Sequence, residues 1–232
     1  MRVLLICNDH YHPGDIPIRG LEPLLKKGIT FDALQSVEEI DPRIIKNYPV
    51  VILAKTGRIV GSDTVPWKDD PAILTAFVEY VENGGGLLVV HNGTVANDET
   101  DEMHRLIGCR FVFHPSQVPV TVQPIKPHPV TDGVEMFCEK DEQYYVKLET
   151  DDVDIILAAY APPQGDESKR TATSNVNHPG GIVPAGYVRN QGKGRICVIT
   201  PGHNPEVWLN CNFQRLIENA VKWCGNYVNP RN

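Results

Sequence analysis

The sequence predicts an α/β fold in which helices cover a mainly parallel central sheet. Short apolar runs with strand character, such as Arg2–Cys7, Val50–Ala54 and Leu87–Val90, alternate with helix signals. Strands that alternate with helices are typical of a parallel sheet with right-handed crossovers. A length of 232 residues is enough for one sizeable α/β domain, so we predict a single domain over residues 1–232.

The first part of the chain carries clear signals for each element. Pro71 suits the first turn of a helix that Asp69 or Asp70 can cap, and Gly84–Gly86 stop that helix. In chain order we predict the strand Arg2–Cys7, the helix Ile18–Lys27, the strands Thr30–Leu34 and Val50–Ala54, the helix after Asp70, and the strand Leu87–Val90.

The alternation of strands and helices stops after this strand, where prolines occur at short intervals. We expect the region after Asp101 to form an insertion or lid on the core sheet, followed by a surface loop over Pro162–Gly181. The predicted elements are a helix over Asp101–Ile107, strands over Arg110–His114, Val118–Gln123, Gln143–Leu148 and Asp154–Tyr160, a hairpin of Ile182–Arg189 with Arg195–Thr200, and a last helix capped by Asn210.

Composition and charge exclude several classes of function. The net charge of −7 argues against a nucleic-acid binder and against docking on an anionic membrane. No stretch approaches the roughly 20 apolar residues of a membrane span, and the start does not resemble a signal peptide. The lack of a secretion signal predicts a cytoplasmic protein, in which cysteines stay reduced. We therefore expect the six cysteines, none of which are in C-x-x-C spacing, to be thiols and not disulfides. Trp67 and Tyr227 are candidates for an interface in a homo-oligomer, although single exposed aromatics are common.

Histidines follow several of the predicted core strands. His10 and His12 follow the first strand, His91 follows Leu87–Val90, and His203 follows Arg195–Thr200. Ligands of open α/β sheets bind outside the carboxyl ends of the strands, so these side chains can converge there. We predict that His91 and His203 share a catalytic site, against the alternative that each is an ordinary surface or hydrogen-bonding histidine.

Other polar residues extend this candidate site. A carboxylate near a histidine can orient it or act as a base, which makes Glu142 the third catalytic candidate, although Asp141–Glu142 could equally be a solvated turn. The candidates for substrate binding are His10, His12, Asn92, His114 and Tyr144. Histidines and a carboxylate also suit a divalent transition metal, with His10, His12, His91 and His203 as candidate ligands, but no H-x-x-x-H spacing supports one.

Two common chemistries lack their motifs. The position at which a nucleophile elbow carries Ser or Cys holds His91, so covalent cysteine catalysis is not expected. Gly84–Gly86 precede a strand instead of following one, and no G-x-G-x-x-G or Walker pattern occurs, so we expect no nucleotide cofactor.

Several motifs, taken in order, resemble the ThuA-like (trehalose utilisation) family of the class I glutamine amidotransferase-like superfamily. They are Val3–Ile6 with the histidine-rich turn, Tyr80–His91, Phe111–Pro115, His128–Gly133, Asp141–Tyr144, Gly192–Arg195, Gly202–His203 and the closing helix to Trp223. The resemblance implies a flavodoxin-like three-layer sandwich. It also implies that His203–Glu206 is a stretched remnant of the superfamily's His-Pro-Glu motif, and that glutamine hydrolysis does not occur.

The resemblance further implies a role in carbohydrate catabolism. Our leading hypothesis is an enzyme that acts on a sugar or keto-disaccharide derivative through His/Glu acid–base or metal chemistry. The alternatives are a non-catalytic sugar-binding or regulatory module and a metal-dependent hydrolase. The expected partners are the sugar substrate and a second copy of the chain in a homo-oligomer, with no nucleic acid and no membrane.

Overall fold

The computed structural model describes residues 1–58, 67–96, 101–163 and 180–226. The strands are β1 (Arg2–Cys7), β2 (Thr30–Leu34), β3 (Val50–Ala54), β4 (Gly86–Val90), β5 (Cys109–Phe113), β6 (Val118–Pro124), β7 (Phe137–Asp141), β8 (Tyr145–Leu148), β9 (Asp154–Ala161), β10 (Gly181–Gln191) and β11 (Gly194–Ile199). The helices are α1 (Asp15–Leu25), α2 (Pro42–Ile45), α3 (Pro71–Glu82), α4 (Asp101–Ile107), α5 (Pro205–Leu209) and α6 (Cys211–Cys224).

The main sheet has nine strands in the order β2-β1-β3-β4-β11-β10-β9-β6-β7. The first five pair in parallel. Their order is that of flavodoxin-like sheets, and it confirms the predicted α/β fold with a parallel centre. The other four strands extend the sheet by antiparallel pairing, beginning with the predicted β10–β11 hairpin.

Two apolar cores lie on opposite faces of this sheet. Leu5 of β1 belongs to one core together with residues of α1 and α6, whereas Leu4 belongs to the other together with residues of α3. Alternate residues of a strand point to opposite faces, so a strand covered on both sides must be apolar throughout. Every residue of β3 and β4 is buried for this reason, and the result is the expected three-layer sandwich.

The helix caps follow the sequence signals. The Asp70 carboxylate accepts hydrogen bonds from the backbone N–H groups at the start of α3, and Asn210 does the same for α6. Helix α1 begins at Asp15, three residues before the predicted start, because Pro17 is compatible with a first helical turn.

The prediction that β6 belongs to an insertion or lid was wrong, because β6 is a strand of the main sheet. Val118, Val120 and Val122 are buried in the same core as β1, and β6 pairs with β9 inside the main sheet. A strand with one buried face alternates apolar and polar residues, which is the pattern of β6. Only β5 and β8, among the described strands, form a separate sheet.

Two further sequence predictions concern exposure. The Trp67 side chain, predicted to be exposed, is buried, and its indole N–H donates to the Thr56 carbonyl at 2.7 Å. It therefore offers no interface, and Tyr227 lies outside the described residues. The six cysteines are unpaired, and four of them are buried. No helix in the described ranges has the length and apolar character to cross a membrane.

Candidate active site

Four side chains from separate loops meet at the carboxyl edge of the parallel strands. His12 lies in the loop after β1, His91 directly follows β4, His203 follows β11, and Glu142 directly follows β7. One nitrogen or oxygen of each lies within 4.8 Å of the others. We call these four residues the His₃Glu cluster. It has the ligand types that a transition-metal ion takes in proteins.

Glu142 is the centre of the cluster. Its Oε2 lies 3.2 Å from Nδ1 of His203, 3.5 Å from Nε2 of His91 and 3.5 Å from Nδ1 of His114. The carboxylate is buried, so these imidazoles replace much of the hydration that it loses.

His91 sits on a strained turn between β4 and a short 3₁₀ helix, His91–Thr94. Its φ of 46° is in the left-handed region, which non-glycine residues adopt rarely. Strain of this kind at a strand-to-helix turn is typical of a nucleophile elbow. The turn thus has the backbone strain of a nucleophile elbow, but the residue that it carries is a histidine.

A hydrogen bond fixes the orientation of the His91 ring. Nδ1 lies 2.8 Å from the carbonyl oxygen of Thr200. A carbonyl can only accept, so Nδ1 carries the hydrogen, and in the neutral ring the Nε2 lone pair faces Glu142.

His12 is fixed in the same way by Asp9. Its Nδ1 lies 2.7 Å from Oδ1 of Asp9. The other oxygen of Asp9 accepts from the Thr56 N–H at 3.0 Å and from Nδ2 of Asn92 at 2.6 Å. Asn92, predicted to bind substrate, also donates to the Ala54 carbonyl, so both of its amide hydrogens are used within the protein. Its evident role is to hold Asp9.

Aromatic rings form one wall of the site. The Tyr144 ring packs 4.0 Å from the His91 ring, 4.6 Å from Phe111 and 5.5 Å from His114, measured between centroids. The Arg58 guanidinium lies 5.8 Å from the centroid of Phe111. Phe111 and Tyr144 are buried, so this wall keeps water away from one side of the cluster.

The environment separates the pKa values of the cluster. Burial lowers the pKa of His91 to about 4, although Glu142 acts in the opposite direction. Burial alone would raise the pKa of Glu142, but His203 and His91 beside it hold that pKa well below its usual range. Burial lowers the pKa of His203, but the nearby Glu142 carboxylate outweighs this effect, and the pKa is raised overall. At neutral pH we therefore expect an ionised Glu142, a neutral His91 and a His203 that readily holds a proton.

The structure brings most of the predicted site residues together. The rings of His91 and His203 lie 5.4 Å apart, within reach of one small ligand, and His12, His114, Glu142 and Tyr144 surround them. His10, predicted as a metal ligand and substrate contact, is exposed, packs against Tyr11 and lies outside the cluster.

Sequence reasoning missed Asp9 and misplaced the remnant of the His-Pro-Glu motif. Asp9 comes two residues after β1, and this position at a strand end was the available signal. Glu206 is exposed in the first turn of α5. The carboxylate that faces His203 is instead Glu142, from the antiparallel part of the sheet.

Comparison with known proteins identifies the family of this chain. The family model for ThuA, described as trehalose utilisation, matches residues 2–224. The chain belongs to the ThuA family. No curated protein matches the sequence.

Solved structures show the same fold as this ThuA family member. A ThuA-like protein from Parabacteroides merdae has a TM-score of 0.72 at 19% identity, covering 100% of this chain and 92% of that one. A ThuA-like protein from Bacteroides uniformis has a TM-score of 0.68 at 20% identity, covering 97% and 91%. A glutamine amidotransferase from Thermotoga maritima has a TM-score of 0.57 at 11% identity, covering 97% and 98%. The ThuA fold is thus that of class I glutamine amidotransferases.

Proposed function

We propose that this ThuA family member is an enzyme that acts on a sugar or keto-disaccharide derivative, with the His₃Glu cluster as its catalytic centre. One observation carries the proposal. Three imidazoles from three strand ends converge on one buried carboxylate at the edge where α/β enzymes bind their ligands. Burying ionisable groups is unfavourable, and such clusters are typical of functional sites.

The separated pKa values suit acid–base chemistry on a carbonyl-bearing sugar. His203 holds a proton that it can donate to a substrate oxygen, while neutral His91 can accept one. Glu142 lies against both rings and stabilises the charge that each acquires. A keto group in a sugar ring acidifies the C–H bonds on the two carbons beside it, so a proton donor and a proton acceptor within one small site match that substrate.

The family description supports the substrate class. Trehalose is a disaccharide, and the model that carries this description spans nearly the whole chain. The strained residue after β4 is His91, which has no thiol or hydroxyl nucleophile. This argues against glutamine as the substrate, because amide hydrolysis through a covalent intermediate needs a nucleophile there.

A substrate panel tests the proposed function. The purified protein is incubated with trehalose, other disaccharides and their keto forms, and thermal shift and product release are both measured. A ligand present at 100 times its dissociation constant adds about 2.7 kcal/mol to the free energy of unfolding. We expect one class of sugar to raise the melting temperature and to be converted. A panel in which no sugar is converted would overturn the proposal, and stabilisation without conversion would indicate a binding module.

A further inference from the structure

We propose that the His₃Glu cluster binds one divalent first-row transition-metal ion, with Zn²⁺ the best fit, through Nε2 of His12, Nε2 of His91, Nδ1 of His203 and a carboxylate oxygen of Glu142. This inference deepens the proposed function at the same site. Metal binding is measured without any sugar, so the two proposals can fail separately.

The first support is the spacing of the ligand atoms. Zn²⁺ binds imidazole nitrogen and carboxylate oxygen at about 2.0–2.2 Å, which places neighbouring ligand atoms of a tetrahedron about 3.4 Å apart. Oε2 of Glu142 already lies 3.5 Å from Nε2 of His91 and 3.2 Å from Nδ1 of His203. The full set lies within 4.8 Å, so small side-chain rotations close the remaining gaps.

The second support is a set of buried nitrogen atoms that lack a hydrogen bond. Nε2 of His12, Nε2 of His91 and Nδ1 of His203 are each buried without a hydrogen-bond partner among the residues that the structure describes. Buried polar atoms are satisfied in nearly all native structures, and an ion is one of the groups that can satisfy them. These three nitrogens belong to the three histidines of the His₃Glu cluster.

The third support is that the His12 and His91 rings are each fixed by a hydrogen bond at Nδ1, the nitrogen that does not face the cluster. Metal-binding histidines usually donate their other N–H to a carboxylate or a backbone carbonyl, which fixes the tautomer. The Asp9 carboxylate holds Nδ1 of His12 at 2.7 Å, and the Thr200 carbonyl holds Nδ1 of His91 at 2.8 Å. Both bonds leave the Nε2 lone pair facing the cluster.

The neighbouring histidines do not belong to the proposed ligand set. His10 is exposed and packs on Tyr11. His114 lies 3.5 Å from Glu142, but its Nδ1 also lies 3.0 Å from the carbonyl oxygen of Pro115. With an ion bound, its positive charge would take over from the His203 proton the polarisation of a substrate oxygen, and Nε2 of His91 would be a ligand instead of a proton acceptor.

The experiment measures metal binding to the purified full chain. The protein is treated with a chelator, dialysed, titrated with ZnCl₂ by calorimetry and analysed for metal content after gel filtration. We expect one Zn²⁺ per chain, and a visible absorption spectrum of tetrahedral character when Co²⁺ is used instead. His12→Gln and His203→Asn should weaken Zn²⁺ binding by more than about 100-fold, and Asp9→Asn by about 10- to 100-fold.

His10→Gln is the matched control, since it changes a histidine of the same loop outside the cluster. It should bind Zn²⁺ as the wild type does, and circular dichroism should show that all variants are folded. Less than about a tenth of an equivalent of metal in the reloaded wild type, or unchanged binding by folded His12→Gln and His203→Asn, would overturn the inference.

The two proposals give distinguishable failures. Conversion of the sugar by a wild type that holds less than about a tenth of an equivalent of metal after reloading would refute the metal site and leave the proposed function intact. One tightly bound Zn²⁺ without conversion of any sugar would support the metal centre and contradict the proposed function.

Discussion

The Asp141 carboxylate holds the backbone of the loop that carries His203. Its two carboxylate oxygens accept the N–H of Gly202 and the N–H of His203, each at 2.9 Å. The next residue, Glu142, contacts the His203 imidazole. Two consecutive acidic residues at the end of β7 thus fix both the backbone and the ring of one histidine.

Asp141→Asn should lower both stability and activity. An amide has one acceptor oxygen, so it leaves one of the two backbone N–H groups without a partner, and an unsatisfied buried donor costs about 1–3 kcal/mol. The free energy of unfolding in urea should fall by this amount, and sugar turnover should fall with it. The exposed Asp151→Asn is the control and should change neither. Unchanged stability of Asp141→Asn would show that the carboxylate does not hold this loop.

Lys68 should make the stability depend on pH. The ammonium is buried, where it donates to the carbonyls of Gly93 and Val95 at 2.7 and 2.8 Å, and burial lowers its pKa from 10.5 to about 7. Between these values the unfolded chain holds a proton that the folded protein has lost, so stability rises with pH. The contribution of this group is up to about 1.4 kcal/mol per pH unit.

Urea unfolding of the wild type and of Lys68→Met between pH 7 and pH 10 measures this effect. We expect the stability of the wild type, relative to that of Lys68→Met, to increase steadily with pH, because methionine cannot titrate. Lys26→Met, at an exposed position, should retain the slope of the wild type. Parallel pH curves for the wild type and Lys68→Met would contradict the lowered pKa.

Gly93→Ala should be strongly destabilising. A Cβ at this position would lie 2.0 Å from the carbonyl oxygen of Leu53, which is backbone and cannot rotate away. The turn after His91 would have to shift, and we expect a loss of about 2–4 kcal/mol, in the range of overpacked or strained buried sites. Thermal unfolding tests this, with the exposed Thr75→Ala as the control. A melting temperature within 1–2 °C of the wild type, which is about 0.5 kcal/mol for a chain of this size, would show that the turn has room.

The fold and part of the site could be predicted from local sequence signals. His91 and His203 follow apolar strands, and the parallel topology alone places their loops on one edge. The contribution of Asp9 could not be predicted, because it depends on Thr56 and Asn92, which are 47 and 83 residues away.

The antiparallel half of the sheet was harder to predict for a related reason. Strand β7 contains Glu139, Lys140 and Asp141, and such polar residues give little strand signal on their own. It becomes a strand by pairing with β6 at the edge of the sheet. Glu142 was a candidate on its position next to a strand, but the contact with three histidines depends on this pairing.

The activity of Glu142→Gln tests the central claim most directly. The variant keeps the volume of the side chain and removes the charge on which three imidazoles converge. With the sugar that the wild type converts, kcat/KM should fall by about 10²- to 10⁴-fold, the range for loss of a catalytic acid–base group, while His10→Gln stays within about twofold of the wild type. A folded Glu142→Gln with the kcat/KM of the wild type would contradict the assignment of the His₃Glu cluster as the catalytic centre.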